Sequence, residues 1–379
     1  MRILALAQCL TPNDGWGTCS GNTVRGLIGR GHEVLTLVQT VDPSLPFPQR
    51  PVLPAPLTLL RNPLQIWKTV RTLDAAIKEY KPDIVHFMNE PYAFALSIMS
   101  LWRRLPCTAI TACGTYSVLP LADRSTRWLM RRAYARLDHV FAISRYTEFR
   151  VGKELESQSP ALAEKVRKKM VVWTLGIVQP PLPPPRTPGT EKRLVFVGGV
   201  KPRKGVHEVI EACGHFKKIS SVPFHLSVIG AAPPGKYMDA LRTRVKALGL
   251  DGAVTFRGHI TDGELSQAYA DADCFLMLSI SHGHHFEGFG LVFLEANARG
   301  VPAIGPRDSG CENAIEDGRS GYLVHPQNPD EVAERLRWVL EENRIKPDEC
   351  RAWVAEHSVE RQAEEAEVVY TRLVRAHAR

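Results

Sequence analysis

Residues 286–296 read Phe-Glu-Gly-Phe-Gly-Leu-Val-Phe-Leu-Glu-Ala, and this stretch is the most informative part of the chain. Glu287 and Glu295 stand eight residues apart, with a glycine-bracketed turn after the first and an apolar run carrying the second. This pattern predicts Glu287 on a loop and Glu295 about one turn into a helix. The helix start between them would offer free N–H groups and a positive dipole end, which suit a phosphate. A ligand with phosphate in its middle and hydroxyls at both ends, such as a nucleotide sugar, would fit. An ordinary strand-to-helix turn with two incidental glutamates is the alternative.

Length and composition favour two globular domains. The chain has 379 residues, of which 44% are hydrophobic, enough to bury two cores. No run of about 18 apolar residues occurs, so no membrane-spanning helix is predicted. The apolar start, residues 1–7, has one basic residue and leads into a polar turn, which favours a buried first strand over a signal peptide.

The cysteines and the charge bear on location and partners. The eight cysteines form no C-x-x-C pair, which argues against a disulfide framework or zinc site and favours a reducing cytoplasm. Residues 1–178 hold 23 Lys and Arg against 13 Asp and Glu, a net charge of +10, whereas residues 179–379 carry −2. A basic front half suggests an anionic membrane surface, a lipid-phosphate acceptor or an acidic polymer.

Strand and helix patterns alternate twice along the chain, which predicts the α/β class with parallel, doubly wound sheets. Between the two series, residues 179–190 contain six prolines and form neither helix nor central strand. We therefore predict a front domain at 1–178, a linker at 179–190, a second domain at 191–358 and a last helix at 359–379. Open sheets of this kind bind ligands beyond the carboxyl ends of their strands.

Several short motifs accompany the two glutamates in a fixed order. They are Gly15-Trp16-Gly17, Arg30 to Val34, Lys81 to His86, Ala142 to Ser144, Val197 to Gly205, and Glu316 to Val324. Together with the glutamates they resemble the E-x7-E signature and accompanying motifs of the retaining family 4 glycosyltransferases, over most of the chain. The resemblance implies the GT-B fold, in which two Rossmann-like domains face a central cleft and the last helix crosses back to the first domain.

The resemblance also assigns roles in the second domain. It implies that Glu287 contacts the transferred sugar as the catalytic residue, that Glu295 accepts from the ribose hydroxyls, and that Lys204 binds the diphosphate. The family often has arginine where Gly199 stands, so Arg203 or Lys201 is expected to supply the second phosphate cation. The remaining donor-site candidates are the backbone N–H groups of Phe289, Gly290 and Leu291, and His259 beside the nucleobase.

The front domain supplies further candidates. Gly15 and Gly17 would form a glycine turn whose backbone approaches the donor, although a plain loop turn is equally compatible with the letters. Thr115 and Tyr116 are candidates for binding the acceptor. Cys113 stands where the family usually has histidine, which removes a histidine role there and indicates a small buried residue.

Two letter patterns suggest metal sites, and neither is interpreted as one. Asp271-Ala272-Asp273 matches D-x-D but falls between a helix and an apolar strand, where a capping turn is expected. The run His282-Gly283-His284-His285 lacks further ligands at matching spacing and is interpreted as a loop over the donor. We expect no metal and no cofactor.

The sequence thus predicts a retaining, metal-independent glycosyltransferase that moves a sugar from a UDP-, GDP- or other nucleoside-diphosphate sugar to a lipid-linked or cell-surface glycan. Arginines around Trp128 predict peripheral contact with the anionic inner face of a membrane, an ordinary arginine-rich outer helix being the alternative. The rival functions are a nucleotide-sugar epimerase or phosphorylase on the same fold, and a non-catalytic basic binding protein. No nucleic-acid motif occurs, so no nucleic acid is expected as a partner.

Overall fold

Parallel strand pairing organises both halves of the computed structural model, which describes residues 1–12, 14–181 and 189–378. The chain divides into two units, one of Met1–Val178 with His357–Arg379 and the other of Gln179–Glu356. Residues 182–188 of the predicted linker lie outside the described residues. Of the helices that the structure describes, none is long and apolar enough to cross a lipid bilayer.

The first unit is a parallel sheet in the strand order β3-β2-β1-β4-β5-β6-β7, with helices in the connections. Its strands are β1 (Arg2–Ala7), β2 (Glu33–Val38), β3 (Gln49–Pro51), β4 (Ile84–Phe87), β5 (Cys107–Ala112), β6 (His139–Ala142) and β7 (Met170–Val172). Its helices are α1 (Gly15–Gly29), α2 (Pro63–Tyr80), α3 (Phe94–Met99), α4 (Thr115–Ala122), α5 (Arg127–Arg136), α6 (Arg145–Gln158), α7 (Pro160–Arg167) and α14 (Val359–His377). Short 3-10 helices span Pro56–Leu60 and Glu90–Ala93.

The second unit repeats the plan with the strand order β10-β9-β8-β11-β12-β13, again all parallel. Its strands are β8 (Lys192–Val197), β9 (Phe224–Ile229), β10 (Val254–Gly258), β11 (Cys274–Leu276), β12 (Ala303–Pro306) and β13 (Gly321–Val324). Its helices are α8 (Val206–Ile219), α9 (Lys236–Ala247), α10 (Asp262–Asp271), α11 (Leu291–Asn297), α12 (Pro329–Leu340) and α13 (Pro347–Ala355), with 3-10 helices at Pro202–Lys204 and Gly310–Asn313.

Both sheets are buried along their central strands, as parallel sheets with helices on both faces require. In β1 every residue from Ile3 to Ala7 is fully buried, and Leu4 pairs with Leu35 of β2 on one side and Val85 of β4 on the other. The prediction of two Rossmann-like, doubly wound domains is confirmed. After β4 a 3-10 turn at Glu90–Ala93 leads directly into α3, which ends at Met99.

The last helix, α14, packs in the first unit. Gly26 of α1 lies so close to it that an added Cβ would stand 2.8 Å from the Cβ of Ala363. Tyr370 is fully buried, and its hydroxyl shares a hydrogen bond with Nδ1 of His86 at 2.6 Å, while Nε2 of His86 bonds Thr111 at 2.8 Å. Burial lowers the pKa of His86 to about 3, helped by the nearby His139, so its ring is neutral, with one nitrogen that donates and one that accepts.

We expect Tyr370→Phe to destabilise the protein by about 1–3 kcal/mol, because it leaves the buried Nδ1 of His86 without this hydrogen-bond partner. Thermal unfolding measured beside Val368→Ala checks this. Val368 is 66% exposed on the same helix, and its truncation should change the free energy of unfolding by no more than about 0.5 kcal/mol. Equal melting temperatures for the two variants would contradict the predicted role of this hydrogen bond.

Candidate active site

The strand order of the second unit has one reversal, between β8 and β11. The strands that follow β8 in sequence, β9 and β10, lie on one side of it, and β11 to β13 lie on the other. Connections at such a point leave in opposite directions, and the crevice between them is where open α/β sheets bind ligands. Lys201–Gly205 follows β8 and the segment that contains Glu287 follows β11, so both flank this crevice.

Gly205 holds the turn after β8 in place. Its φ is +74°, and a Cβ on it would stand 1.9 Å from the carbonyl oxygen of Leu278, just past β11. Only glycine combines this conformation with so close an approach. The N–H of Ile280 donates to the carbonyl of Arg203 at 2.9 Å, which fastens the same two segments together.

The turn brings two cations onto Glu287. Lys204 Nζ donates to Glu287 Oε2 at 2.6 Å, Arg203 Nη1 donates to the same oxygen at 3.2 Å, and the Ser279 hydroxyl lies 3.4 Å away. The Glu287 side chain is 16% exposed. Burial alone would raise the pKa of Glu287, but Lys204 and Arg203 outweigh it and the pKa is lowered. Glu287 is therefore an anion at neutral pH, held against two cations.

The segment after Glu287 is shaped by close backbone contacts. The N–H of Gly310 donates to the Glu287 carbonyl at 2.9 Å, and a Cβ on Gly310 would stand 1.9 Å from the carbonyl oxygen of Gly288. Gly290 has φ +85° and precedes α11, which starts at Leu291. Phe289 is buried, so its side chain packs in the core. Donor contacts from the backbone of these residues stay a prediction.

Glu295 has a different environment from Glu287. Tyr269 of α10 is buried, and its hydroxyl donates to Glu295 Oε2 at 2.9 Å. Arg299 bonds the backbone carbonyl of Glu295 at 3.1 Å and places its guanidinium over the Tyr269 ring, 5.4 Å from the centroid. Burial raises the pKa of Glu295, against the lowering effect of Tyr269 and Arg299. Sequence reasoning missed Tyr269, whose contact joins α10 to α11 and leaves no local pattern.

His259 follows the carboxyl end of β10 and is exposed, two strands away from β8. Lys201, the alternative phosphate cation, is also exposed. The structure therefore brings Lys204 and Arg203 onto Glu287 and does not bring His259 or Lys201 into that cluster. Their predicted roles toward the nucleobase and the diphosphate remain untested.

The two metal-like patterns have structural roles. Asp273 accepts from the backbone N–H of Arg193 at 2.7 Å, and Asp271 forms an ion pair with the Arg193 side chain at 3.3 Å, at the amino end of β8. The histidine run is a tight turn in which His282 and His285 exchange backbone hydrogen bonds. Within residues 1–12, 14–181 and 189–378, no group of three His, Cys, Asp or Glu side chains is placed to hold a metal ion.

The glycine turn predicted in the first unit is not a loop but the start of a helix. Gly15 and Gly17 lie in the first turn of α1, because Asp14 caps the helix and its side chain accepts from the Gly17 N–H at 2.8 Å. Gly17 is required by packing, since a Cβ there would stand 2.0 Å from the carbonyl oxygen of Thr11. This N–H is engaged by Asp14, so any donor contact of Gly17 would compete with the cap.

The acceptor-side candidates lie at the start of α4. Thr115 is its first residue, and the Tyr116 ring packs against Trp16 with 5.0 Å between centroids. Cys113, just before them, has its pKa raised by a hydrogen bond with Cys19, by burial and by Glu90. Its thiol is therefore neutral, and the residue is half-buried, whereas a small buried residue was expected.

Comparison with known proteins gives matches in both halves. Residues 14–157 match the family model described as "Glycosyltransferase Family 4", and residues 183–357 match "Glycosyl transferases group 1". A D-inositol 3-phosphate glycosyltransferase of Arthrobacter sp. is 30% identical over 166 residues, which are 44% of this chain and 38% of that protein. The sulfoquinovosyl transferase SQD2 of Arabidopsis thaliana is 24% identical over 71% of this chain and 52% of its own length. The chain thus spans about half or less of these relatives.

Solved structures share the whole fold. The Anabaena Alr3699/HepE structure in complex with UDP-glucose superposes with a TM-score of 0.72 at 17% identity, covering 98% of this chain and 100% of that one. At this identity the likeness establishes the fold, and the glycosyltransferases among the neighbours make it GT-B.

We expect Gly205→Ala to be much more harmful than Gly252→Ala. Both glycines have a left-handed φ, +74° and +80°, but a Cβ on Gly252 meets nothing within 4 Å. Gly252→Ala should therefore cost about 1 kcal/mol of backbone strain, and Gly205→Ala several kcal/mol, since the Leu278 carbonyl must also move. Thermal unfolding of the two variants checks this. Equal losses would show that the contact with Leu278 does not constrain the turn.

Proposed function

We propose that the chain, in which one glycosyltransferase family model matches within each half, is a family 4-like glycosyltransferase that transfers a sugar from a nucleoside-diphosphate sugar to a glycan acceptor. In this proposal the anomeric configuration is retained and no metal takes part. The observation that carries it is the cluster of Lys204 and Arg203 on Glu287, at the strand-order reversal between β8 and β11.

The two cations suit a diphosphate leaving group. Breaking the bond between sugar and phosphate leaves negative charge on the diphosphate, which Lys204 and Arg203 would neutralise. Two fixed positive charges at one turn supply what a divalent cation would otherwise supply, and this is the basis for proposing metal independence. Glu287 contacts both cations, so donor binding would share them between Glu287 and the diphosphate.

Glu287 suits the sugar itself. Because its lowered pKa keeps it ionised, it would stabilise the positive charge that develops on the sugar ring as the bond to phosphate breaks. Glu295, oriented by the Tyr269 hydroxyl, would accept from the ribose hydroxyls, and a carboxylate can accept from two hydroxyls at once. UDP-glucose bound to the Anabaena neighbour makes a UDP-sugar the first donor to test.

The acceptor would be a lipid-linked or cell-surface glycan, and exposed apolar and basic side chains of the first unit support contact with a membrane. Trp67 and Trp102 are about half exposed and their rings lie 6.1 Å apart, and Trp128 is 56% exposed. They come from α2, the turn that follows α3, and α5, and α3 packs against both α2 and α5. Further exposed apolar residues in these elements are Leu64 and Leu101.

Arginines surround Trp128 on this surface. The groove beside Trp128 is lined by Arg124, Arg127, Arg131, Arg132, Arg136 and Lys165. Tryptophan favours the membrane–water interface, and each Lys or Arg near an anionic bilayer contributes about 1 kcal/mol. We therefore propose that this surface contacts an anionic membrane peripherally, from the cytoplasmic side.

The donor proposal predicts slow hydrolysis of one of UDP-, GDP-, ADP- or dTDP-sugars, without acceptor and in excess chelator. Lys204→Ala and Glu287→Gln should each lower the rate by about 100-fold or more, because each removes a charge that the transition state needs. Lys218→Ala removes an exposed lysine of the same unit and serves as the matched control, with an unchanged rate expected.

Other outcomes decide between the rivals. A rate that needs added divalent metal would remove the metal-free part of the proposal. Release of a free epimerised sugar nucleotide, or of a sugar 1-phosphate when phosphate is added, would favour the epimerase or phosphorylase. No hydrolysis and no thermal stabilisation by any nucleotide would leave the non-catalytic binding protein.

The membrane proposal predicts flotation with vesicles that contain about 30% phosphatidylglycerol and not with pure phosphatidylcholine vesicles. Trp128→Ala and Arg131→Glu should each reduce the bound fraction several-fold, and about 0.5 M salt should reduce it further. The charge-reversal control is Lys218→Glu, on the second unit. If this control lowers binding as much as Arg131→Glu, general charge and not this surface attracts the vesicles.

A further inference from the structure

Glu90 is a buried carboxylic acid at the strand-order reversal of the first unit. In the order β3-β2-β1-β4-β5-β6-β7 the reversal lies between β1 and β4, and Glu90 comes three residues after β4 ends. The loops after these strands are joined by Asn89, whose side-chain oxygen accepts from the Gln8 N–H at 2.6 Å. The Glu90 side chain is fully buried, with 0% of its surface exposed. Open α/β sheets bind ligands at such a reversal, so a buried acid at this position can influence a ligand site in the first unit.

One oxygen of Glu90 holds the turn that leads into α4. Oε1 accepts from the Cys113 N–H at 2.7 Å and from the Ser117 hydroxyl at 2.6 Å. The Ser117 oxygen in turn accepts from the Gly114 N–H at 3.2 Å. Gly114 has φ +125°, a conformation that favours glycine. The residues between these contacts are Thr115 and Tyr116.

The other oxygen, Oε2, is buried and has no hydrogen-bond partner among the described residues. The ionisable groups that face Glu90 are the Cys113 thiol, which bonds Cys19 of α1, and the Tyr134 hydroxyl of α5. None of these is a cation, and in the described part of the chain no Lys or Arg forms an ion pair with Glu90. Burial accordingly raises the pKa of Glu90 to about 7, although the bonds from Ser117 and Cys113 lower it.

We propose that Glu90 is a positioning residue that holds the turn Cys113–Ser117 closed. It thereby fixes the positions of Thr115 and Tyr116 at the β1–β4 crevice. That these two residues meet the acceptor rests on the proposed function. The hold depends on the proton at Oε2. As a neutral acid Glu90 fits its uncharged surroundings, and as an anion it is a buried charge without a cation, which opening of the turn exposes to water.

The direction of the pH effect follows from the raised pKa. A carboxyl group whose pKa is higher in the closed turn than in water stabilises closure fully below its ordinary pKa of 4.5, and this stabilisation is lost as the pH rises through about 7. The turn should therefore loosen between about pH 6 and pH 8, by up to about tenfold in its closing equilibrium if Glu90 becomes fully hydrated on opening.

Hydrogen exchange of the peptide that covers residues 113–117 tests this without donor or acceptor. After correction for the intrinsic exchange rate, wild-type protection should fall by up to about tenfold from pH 6 to pH 8. Glu90→Gln should give protection that does not change over this range, because the amide does not titrate. Glu360→Gln, at an exposed position on α14, should keep the wild-type dependence.

Ser117→Ala provides a second variant that keeps Glu90. Because the Ser117 bond lowers the pKa of Glu90, its loss should raise that pKa, make the fall in protection steeper and extend it to higher pH. Wild-type protection that does not vary with pH, or a Glu90→Gln variant that varies as the wild type does, would overturn the proposal. A protein that shows the predicted exchange but hydrolyses no donor would keep this role for Glu90 and lose the proposed transfer.

Discussion

The strand-order reversal between β8 and β11 is the constraint on which the candidate site depends. It sends the connections after these strands in opposite directions, so that the side chains at their starts border one crevice. Gly205 then fixes the separation of the two segments, because no larger residue fits against the Leu278 carbonyl. Lys204 and Glu287 meet at 2.6 Å as a consequence of this backbone geometry.

The two carboxylates of the E-x7-E stretch differ because their partners differ. Burial pushes the pKa of both upward, but Glu287 faces two cations and Glu295 faces a neutral hydroxyl. The guanidinium of Arg299, the cation near Glu295, instead contacts a backbone carbonyl, a serine hydroxyl and the Tyr269 ring. Glu287 is thereby kept as an anion, and in the proposed reaction it would face the positive charge that develops on the sugar, whereas Glu295 would accept hydrogen bonds from hydroxyls. One short stretch carries two chemically distinct acids.

Much of this arrangement could be predicted from the sequence, because strand ends are visible in it. Alternating buried strands and helices indicated two parallel sheets, and the motifs at strand ends indicated Lys204 and Glu287. Gly15 and Gly17 were misjudged because a glycine-rich helix start resembles a loop until the cap by Asp14 is seen. Tyr269 and Glu90 could not be identified, since what matters in them is a partner about 23 to 27 residues away in sequence and their complete burial. Neither property can be inferred from the spacing of neighbouring residues in the sequence.

Each unit has a carboxylate near the reversal of its strand order, but the two carboxylates have opposite electrostatic surroundings. At the β8–β11 reversal Glu287 is matched by Lys204 and Arg203, which makes that crevice a place of fixed charges. At the β1–β4 reversal Glu90 is held by N–H groups and a hydroxyl, without a cation among the described residues, and burial favours its neutral form. A diphosphate is charged throughout and needs the first environment, whereas a glycan hydroxyl is neutral and is bound by dipoles. In the proposed function, the two sheets would thus have separate tasks. The sheet whose carboxylate has cations beside it would bind the charged donor, and the sheet whose carboxylate has none would bind the uncharged acceptor.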